Sequence, residues 1–189
     1  MTIAIAAAVA VGGTVAYFSD TETSTGNTFT AGTLDLGLGN SSGTATTGSV
    51  TQTWKTGTAW APGNTEDKTL YVKNSGTINA TKIKVAFTET LTNGTPTTVD
   101  DPKATALDEK TIATTVKWNG VVVSALQGKS IKELSTSYGV STPYDLGAVQ
   151  GLDANTEKGL QILWTFDTTA DNGCQGDAVD ATITVTLEQ

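Results

Sequence analysis

The sequence contains no histidine and no arginine, so its eleven cationic side chains are all lysines. The absence of histidine excludes most metal-site chemistry, every histidine-based triad and the usual acid–base group that titrates near neutral pH. The absence of arginine removes the planar fork that binds phosphate or carboxylate through two parallel hydrogen bonds. A net charge of −8 also disfavours a polyanionic partner. We therefore expect no enzymatic activity, no cofactor and no nucleic-acid partner.

Cysteine and charge are scarce as well. Cys174 is the only cysteine and cannot form an internal disulfide, so it is either a small buried hydrophobic side chain or a group for intermolecular pairing. Charged residues make up 16% of the chain, against about a quarter in ordinary domains. Threonine, which favours strands, and glycine and asparagine, which favour turns, are abundant instead. This composition predicts an all-β fold.

The apolar residues at the start of the chain fit neither a signal peptide nor a membrane helix. No lysine precedes Lys55, so the basic region of a signal peptide is missing. The apolar run of roughly ten residues ends at Gly12, whereas a membrane helix needs about twenty. We expect no membrane span in the mature chain. We also expect export by a signal peptide, although none is clearly present in this sequence. A remnant of a signal sequence remains an alternative interpretation of the segment.

Side-chain size alternates along this segment, with the large side chains at odd positions and small ones, mostly alanine, at even positions. A period of two is typical of a strand with two unlike faces, because a helix would scatter the large residues around its circumference. Gly12 and Gly13 then form a hinge. The predicted donor strand carries Ile3, Ile5, Ala7, Val9 and Val11 on one face.

A strand tethered through two glycines can dock on the next copy of the chain. Such a head-to-tail contact need not close on itself and builds a filament. Main-chain hydrogen bonds then provide affinity, and side-chain pockets set the register. We predict a homopolymer in which residues 1–13 are donor strand and hinge, and residues 14–189 are the accepting domain.

Short alternating segments follow the hinge and are separated by turn residues, as in a β-sandwich. The last is the clearest, with Ile183, Val185 and Leu187 alternating with threonines. Asn119-Gly120 is the dipeptide that best specifies a two-residue hairpin. We also predict an insertion around residues 99–150, with one helix capped by Ser130 and another beginning at Pro143 after Thr142.

Several segments resemble the TasA/camelysin family. The most specific is Gly12-Gly13-Thr14-Val15-Ala16-Tyr17-Phe18-Ser19-Asp20, followed by Asn27-Thr28-Phe29-Thr30-Ala31-Gly32-Thr33-Leu34-Asp35-Leu36. Weaker matches are Leu70-Tyr71-Val72-Lys73-Asn74-Ser75-Gly76 and Gln175-Gly176-Asp177. Within the family, the chain is most similar to the archaeal bundling pilins.

The resemblance implies a jelly-roll-like β-sandwich, donor-strand complementation and a role in biofilm cohesion or adhesion through pili that bundle laterally. It also implies an extracellular location. In the bacterial relatives, the apolar residues before the paired glycines belong to the removed signal peptide, whereas here they are expected to be retained. Some relatives carry a metalloprotease label, but without histidine the chain has no His-Glu-x-x-His helix.

Two sets of surface residues are candidates for ligands or modification. Oxygens for a calcium ion could come from Asp167, Asp171, Asn172 and Asp177, although their spacing is not that of an EF-hand. Sequons for glycosylation begin at Asn40, Asn79 and Asn93. Trp54 and Trp60 are expected at the rim of the core, with carbohydrate binding as the alternative. The alternative to a filament subunit is accordingly a monomeric surface module that binds glycan or calcium.

Overall fold

Strands dominate the structure. The computed structural model describes residues 31–45, 60–92, 106–174 and 176–189, and Gly32–Gln189 forms one compact unit. The strands described are β1 (Leu36–Gly39), β2 (Thr65–Asn74), β3 (Lys82–Thr92), β4 (Thr111–Trp118), β5 (Val121–Val122), β6 (Lys129–Ser130), β7 (Tyr144–Asp145), β8 (Thr156–Phe166) and β9 (Ala178–Glu188). The helices described are α1 (Leu107–Lys110) and α2 (Ile131–Ser137), with 3₁₀ turns at Leu146–Ala148 and Asn172–Cys174.

The larger sheet has the order β1-β2-β8-β4-β5, and β6 also pairs with β4. Its long strands alternate as the sequence predicts, because successive side chains of a strand point to opposite faces. In β8, every second residue from Leu160 to Phe166 is buried. Opposite it, Leu70 pairs with Leu160. The apolar face of this sheet is therefore continuous across its central strands.

The smaller sheet has three described strands in the order β7-β3-β9. β3 and β9 pair antiparallel along their whole length, from Lys82 opposite Glu188 to Thr92 opposite Ala178. β7 covers only two residues of the other edge of β3. This layer is thus narrower than the one it faces.

The hydrophobic core lies between the two sheets and includes residues of both. Trp118 is the largest fully buried side chain among the described residues, and its Nε1 donates to the Gln150 carbonyl oxygen over 2.7 Å. The all-β sandwich predicted from the sequence is confirmed. The larger sheet contributes Leu70, Val72, Ala113, Val116, Trp118, Leu160, Ile162 and Trp164, and the smaller sheet contributes Ile83, Val85, Phe87 and Val185.

Two local predictions are confirmed. Asn119 and Gly120 have φ of 48° and 84° and connect β4 to β5, as a two-residue hairpin with right-handed strand twist requires. Ser130 caps α2 in a reciprocal arrangement: Glu133 N donates to Ser130 Oγ, and Ser130 N donates to the Glu133 carboxylate.

The helix predicted to begin at Pro143 is wrong. Tyr144 and Asp145 instead continue the chain as β7, which pairs with β3. The helical turn begins three residues later, at Leu146, and Asp145 caps it by accepting from Gly147 N. The extended conformation after Pro143 is favoured because Tyr144 and Asp145 pair with β3. A helix beginning at Pro143 would leave the backbone groups of β3 at this position without these partners.

The predicted insertion around residues 99–150 includes a strand of the larger sheet. β4 lies beside β8, and its residues Ala113, Val116 and Trp118 are fully buried. Residues 99–105 lie outside the described residues. The remaining part of the segment therefore builds the core as well as the surface turns.

A corner after β2 joins two of the family-like segments. Asn74 is fully buried, with its Nδ2 donating to the Ile78 and Leu152 carbonyls and its Oδ1 accepting from Gly76 N. A Cβ on Gly76 would lie 2.1 Å from the Thr33 carbonyl oxygen, so only glycine fits there. This close approach brings residues 33–35 against the turn that follows Asn74.

Candidate functional site

The candidate site is the outer edge of β9. Its even-numbered residues from Ala178 to Thr186 are exposed, and its odd-numbered side chains point toward the core. We call these odd-numbered residues the inward row of β9. They are Val179, Ala181, Ile183, Val185 and Leu187.

This edge has no strand beside it among the described residues. β9 pairs with β3 on one side, while β8, of the same length, pairs with β2 and β4 on its two sides. A long unpaired strand presents a row of N–H and C=O groups and is a ready template for another strand. The outer edge of β9 is therefore chemically competent to add one.

The inward row is also less buried than the inward-facing apolar side chains of β8. Val185 is 7% exposed, and the other four side chains of the row are only half-buried although they pack against the core. Apolar surface left in water has a cost that a further apolar strand would remove. The outer edge of β9 therefore combines backbone groups that can pair with another strand and an apolar face that such a strand could cover.

β9 carries two charged residues, Asp180 at an exposed position near its N-terminal end and Glu188 at its C-terminal end. Glu188 accepts a 2.6 Å hydrogen bond from Lys84 Nζ, and Lys82 Nζ lies 3.9 Å from its other carboxylate oxygen. The hydrogen bond from Lys84 holds the pKa of the Glu188 carboxyl below its ordinary value. The inward row itself carries no charge, so an incoming strand without charges is the natural match.

The predicted donor strand and hinge lie outside the described residues. The assignments to Ile3, Ile5, Ala7, Val9, Val11, Gly12 and Gly13 therefore stay predictions. The alternation of residues 178–188 predicts β9 as a strand, but it does not predict that β9 lies at an edge of the sheet formed by the described residues. The alternation alone could not reveal this, because β8 alternates in the same way and lies in the middle of its sheet.

The calcium assignment to Asp167, Asp171, Asn172 and Asp177 stays a prediction, and no group of three or more acidic side chains in the described ranges could hold a metal ion. Asp167 Oδ1 accepts from Thr169 N, Asp171 Oδ1 accepts from Gly173 N, and Asp177 Oδ2 accepts from Leu107 N. Each carboxylate thus stabilises a different stretch of backbone. Nothing is described for the side chain of Asn172.

The glycosylation candidates differ in their surroundings. Asn40 is exposed at the end of β1. Asn79 is also exposed, but its Oδ1 accepts a 2.9 Å hydrogen bond from Ala154 N. Asn93 lies outside the described residues. Glycosylation of any of the three stays a prediction.

Trp60 and Cys174 take the structural roles expected for them. The Trp60 ring stacks on Phe166 with centroids 5.9 Å apart, at the rim of the core. Cys174 is buried, and burial, together with Asp171 and Asp177, raises the pKa of its thiol to about 11. A thiol with this pKa stays protonated at neutral pH, so it is a poor nucleophile and metal ligand. Trp54 lies outside the described residues.

Comparison with known proteins identifies the family. A family model described as camelysin metallo-endopeptidase matches residues 1–189. The chain belongs to this family. Membership confirms the resemblance to the camelysin/TasA proteins, and it is compatible with a secreted subunit of a biofilm matrix fibre. The family is typically secreted, which supports an extracellular location. No curated protein shows a significant match to the chain.

The residues present do not fit the metal centre that the family description implies. The sequence has no histidine, and no group of three or more Cys, Asp or Glu in the described part of the chain could hold a metal ion. Asp108 has a buried Oδ1 without a hydrogen-bond partner among the described residues, but it belongs to no such group. The expectation that the camelysin-family chain is not an enzyme stays a prediction.

Within the described ranges, no helix has the length and apolar character needed to cross a bilayer.

Proposed function

We propose that the chain is the structural subunit of an extracellular filament, in which the N-terminal strand of each copy completes the sandwich of a neighbour. The observation that carries this proposal is the long edge of β9, which has no strand partner among the described residues and leaves four of the five uncharged side chains of the inward row half-buried. Family membership supports the same conclusion, because a matrix fibre subunit must present a surface for polymerisation. Lateral bundling of such filaments would then support biofilm cohesion or adhesion.

The energetics of strand donation are finely balanced. Burial of the large aliphatic side chains of residues 3–11 contributes about 1.5–3 kcal/mol each. Ordering the backbone of the donor opposes this by about 1–2 kcal/mol per residue. The accepting edge is already ordered by its ladder with β3, so only the donor has to lose conformational freedom. Main-chain hydrogen bonds to this edge then favour assembly.

A single charge in the donor strand tests the proposal. Val9→Asp should leave folded monomers, because the predicted donor face would carry an unpaired carboxylate into an apolar site. We expect the concentration needed for assembly to rise at least tenfold, measured by sedimentation and negative-stain electron microscopy.

Ala8→Asp is the matched control, since it places the same charge one residue away on the opposite face of the strand. It should still form filaments. Normal filaments from Val9→Asp would contradict the proposal. A wild-type protein that stays monomeric at high concentration would instead favour a monomeric surface module.

A further inference from the structure

Hydrogen bonds on the far side of β3 fix the direction of its backbone groups. Phe87 N donates to the Tyr138 carbonyl over 2.8 Å, and Ile83 N donates to Asp145 Oδ1 over 3.1 Å. Both N–H groups are therefore used away from β9. In an antiparallel pair, alternate residues turn their N–H and C=O groups toward the partner strand. The even-numbered residues of β3 are thus the ones bonded to β9.

The register between β3 and β9 shows which residues of β9 turn their backbone groups toward β3. Ala86 lies opposite Thr184 and Thr88 opposite Thr182, so the even-numbered residues of β9 bond to β3. The odd-numbered residues must then turn their N–H and C=O groups toward the outer edge. These are the residues of the inward row, whose side chains point to the core. Among the described residues, no group bonds to this outer edge.

From this alternation of backbone groups we propose that residues 3–11 of a second copy lie antiparallel against β9. Their odd-numbered residues then lie opposite the inward row of β9. The inference rests on the proposed function and specifies which strand accepts the donor, which face it covers and which residues pair. An antiparallel addition continues the pattern of every described strand pair.

Length and side-chain size agree with this arrangement. Residues 3–11 and 179–187 contain the same number of residues, and the inward positions of both carry no charge. The register that overlaps the two segments completely sets Ala7 opposite Ile183 and Val9 opposite Ala181. Each small side chain then faces a larger one, which fills the space between the strands evenly.

Proline at an odd position of β9 tests the inference. Proline lacks the N–H group and is tolerated at an edge where that group faces outward. Ala181→Pro should therefore keep the β3 ladder and the fold, and should raise the concentration needed for assembly at least tenfold. Thr182→Val, at an exposed position on the opposite face of β9, is the control and should assemble at a concentration within about twofold of the wild type. Circular dichroism and negative-stain microscopy of the full-length chains provide the readouts.

The outcomes separate this inference from the proposed function. Filaments from Ala181→Pro equal to those from Thr182→Val would overturn the assignment to β9 and leave the filament function standing. Failure of both the wild type and Thr182→Val to assemble would overturn the filament function itself.

A second measurement decides the case in which Ala181→Pro does not fold. Full-length Ala7→Cys and Ile183→Cys chains, both also carrying Cys174→Ser, are mixed, assembled and mildly oxidised. A disulfide-linked dimer supports the proposed register, and its absence from filaments that do form overturns it. Thr184→Cys replaces Ile183→Cys in the control and should not cross-link, because its side chain lies on the opposite face of β9.

Discussion

β8 and β9 are equal in length and alternate in the same way, yet they differ in how completely their apolar faces are covered. All four apolar side chains from Leu160 to Phe166 on the inward face of β8 are buried. On β9, Val185 alone of the inward row is buried. β8 has a strand on each side, whereas the described residues place a strand on only one side of β9. The difference shows that the neighbouring strands of the sheet decide how deeply an alternating strand is buried.

The largest effect should come from core truncation on the two sheets. Trp118→Ala, on the larger sheet, should lower the free energy of unfolding by about 3–5 kcal/mol, because it leaves a large cavity and an unpaired Gln150 carbonyl. Ile183→Ala, on β9, should cost about 1–2 kcal/mol because its side chain is only half-buried. Urea denaturation in the Val9→Asp background, where we expect monomers, measures both.

The same two variants test whether β9 gains cover when filaments assemble. In assembled filaments the cost of Ile183→Ala should grow, since a donated strand would bury the side chain, whereas the cost of Trp118→Ala should stay the same. Equal costs of Ile183→Ala in monomer and filament would mean that β9 gains no cover on assembly. Sedimentation at increasing urea concentration provides the measurement.

An intermediate effect is expected at the corner of the larger sheet. Asn74→Ala should cost about 1–3 kcal/mol, because it removes the partner of the buried Gly76 N–H group and of two carbonyls. Asn74→Asp is the control: it keeps the acceptor for Gly76 N but lacks the donors, so we expect it to retain protection of that amide alone. Amide exchange at Gly76 distinguishes the two, and fast exchange in both variants would contradict this account.

The smallest effect is electrostatic and lies on the smaller sheet. Because the folded-state pKa of Glu188 is lowered, its contribution to stability is present above the unfolded-state pKa and is lost as pH falls through the folded-state value. Lys84→Met should return the pKa of Glu188 toward its ordinary value and weaken this acid dependence. An NMR titration of the Glu188 carboxyl carbon measures the shift.

Lys82→Met supplies the comparison for that titration. Lys82 Nζ lies 3.9 Å from Glu188, against 2.6 Å for Lys84 Nζ, and makes no short hydrogen bond to it. Its removal should therefore change the pKa of Glu188 less. Equal shifts in the two variants would show that general charge, and not the hydrogen bond from Lys84, lowers the pKa.

Local features of the fold were predictable because their causes are local. Asn119-Gly120 predicts its hairpin through the positive φ that both residues tolerate, and Ser130 with Glu133 predicts the start of α2 through reciprocal hydrogen bonds. Pro143 shows the limit of such reasoning. A proline after a threonine favours a helix start, but pairing of the following residues with β3 decided for a strand.

By itself, the sequence determined that the chain is all-β, where its long strands alternate, and that histidine-based chemistry is excluded, since all of these follow from residue type and a period of two. The tertiary contacts place β8 inside a sheet, put β9 at an edge of the sheet that the described residues form, and bring the turn at Asn74 and Gly76 against residues 33–35. These facts depend on contacts between residues far apart in the chain. Alternation records which face of a strand is apolar, but it carries no information about which strand lies alongside.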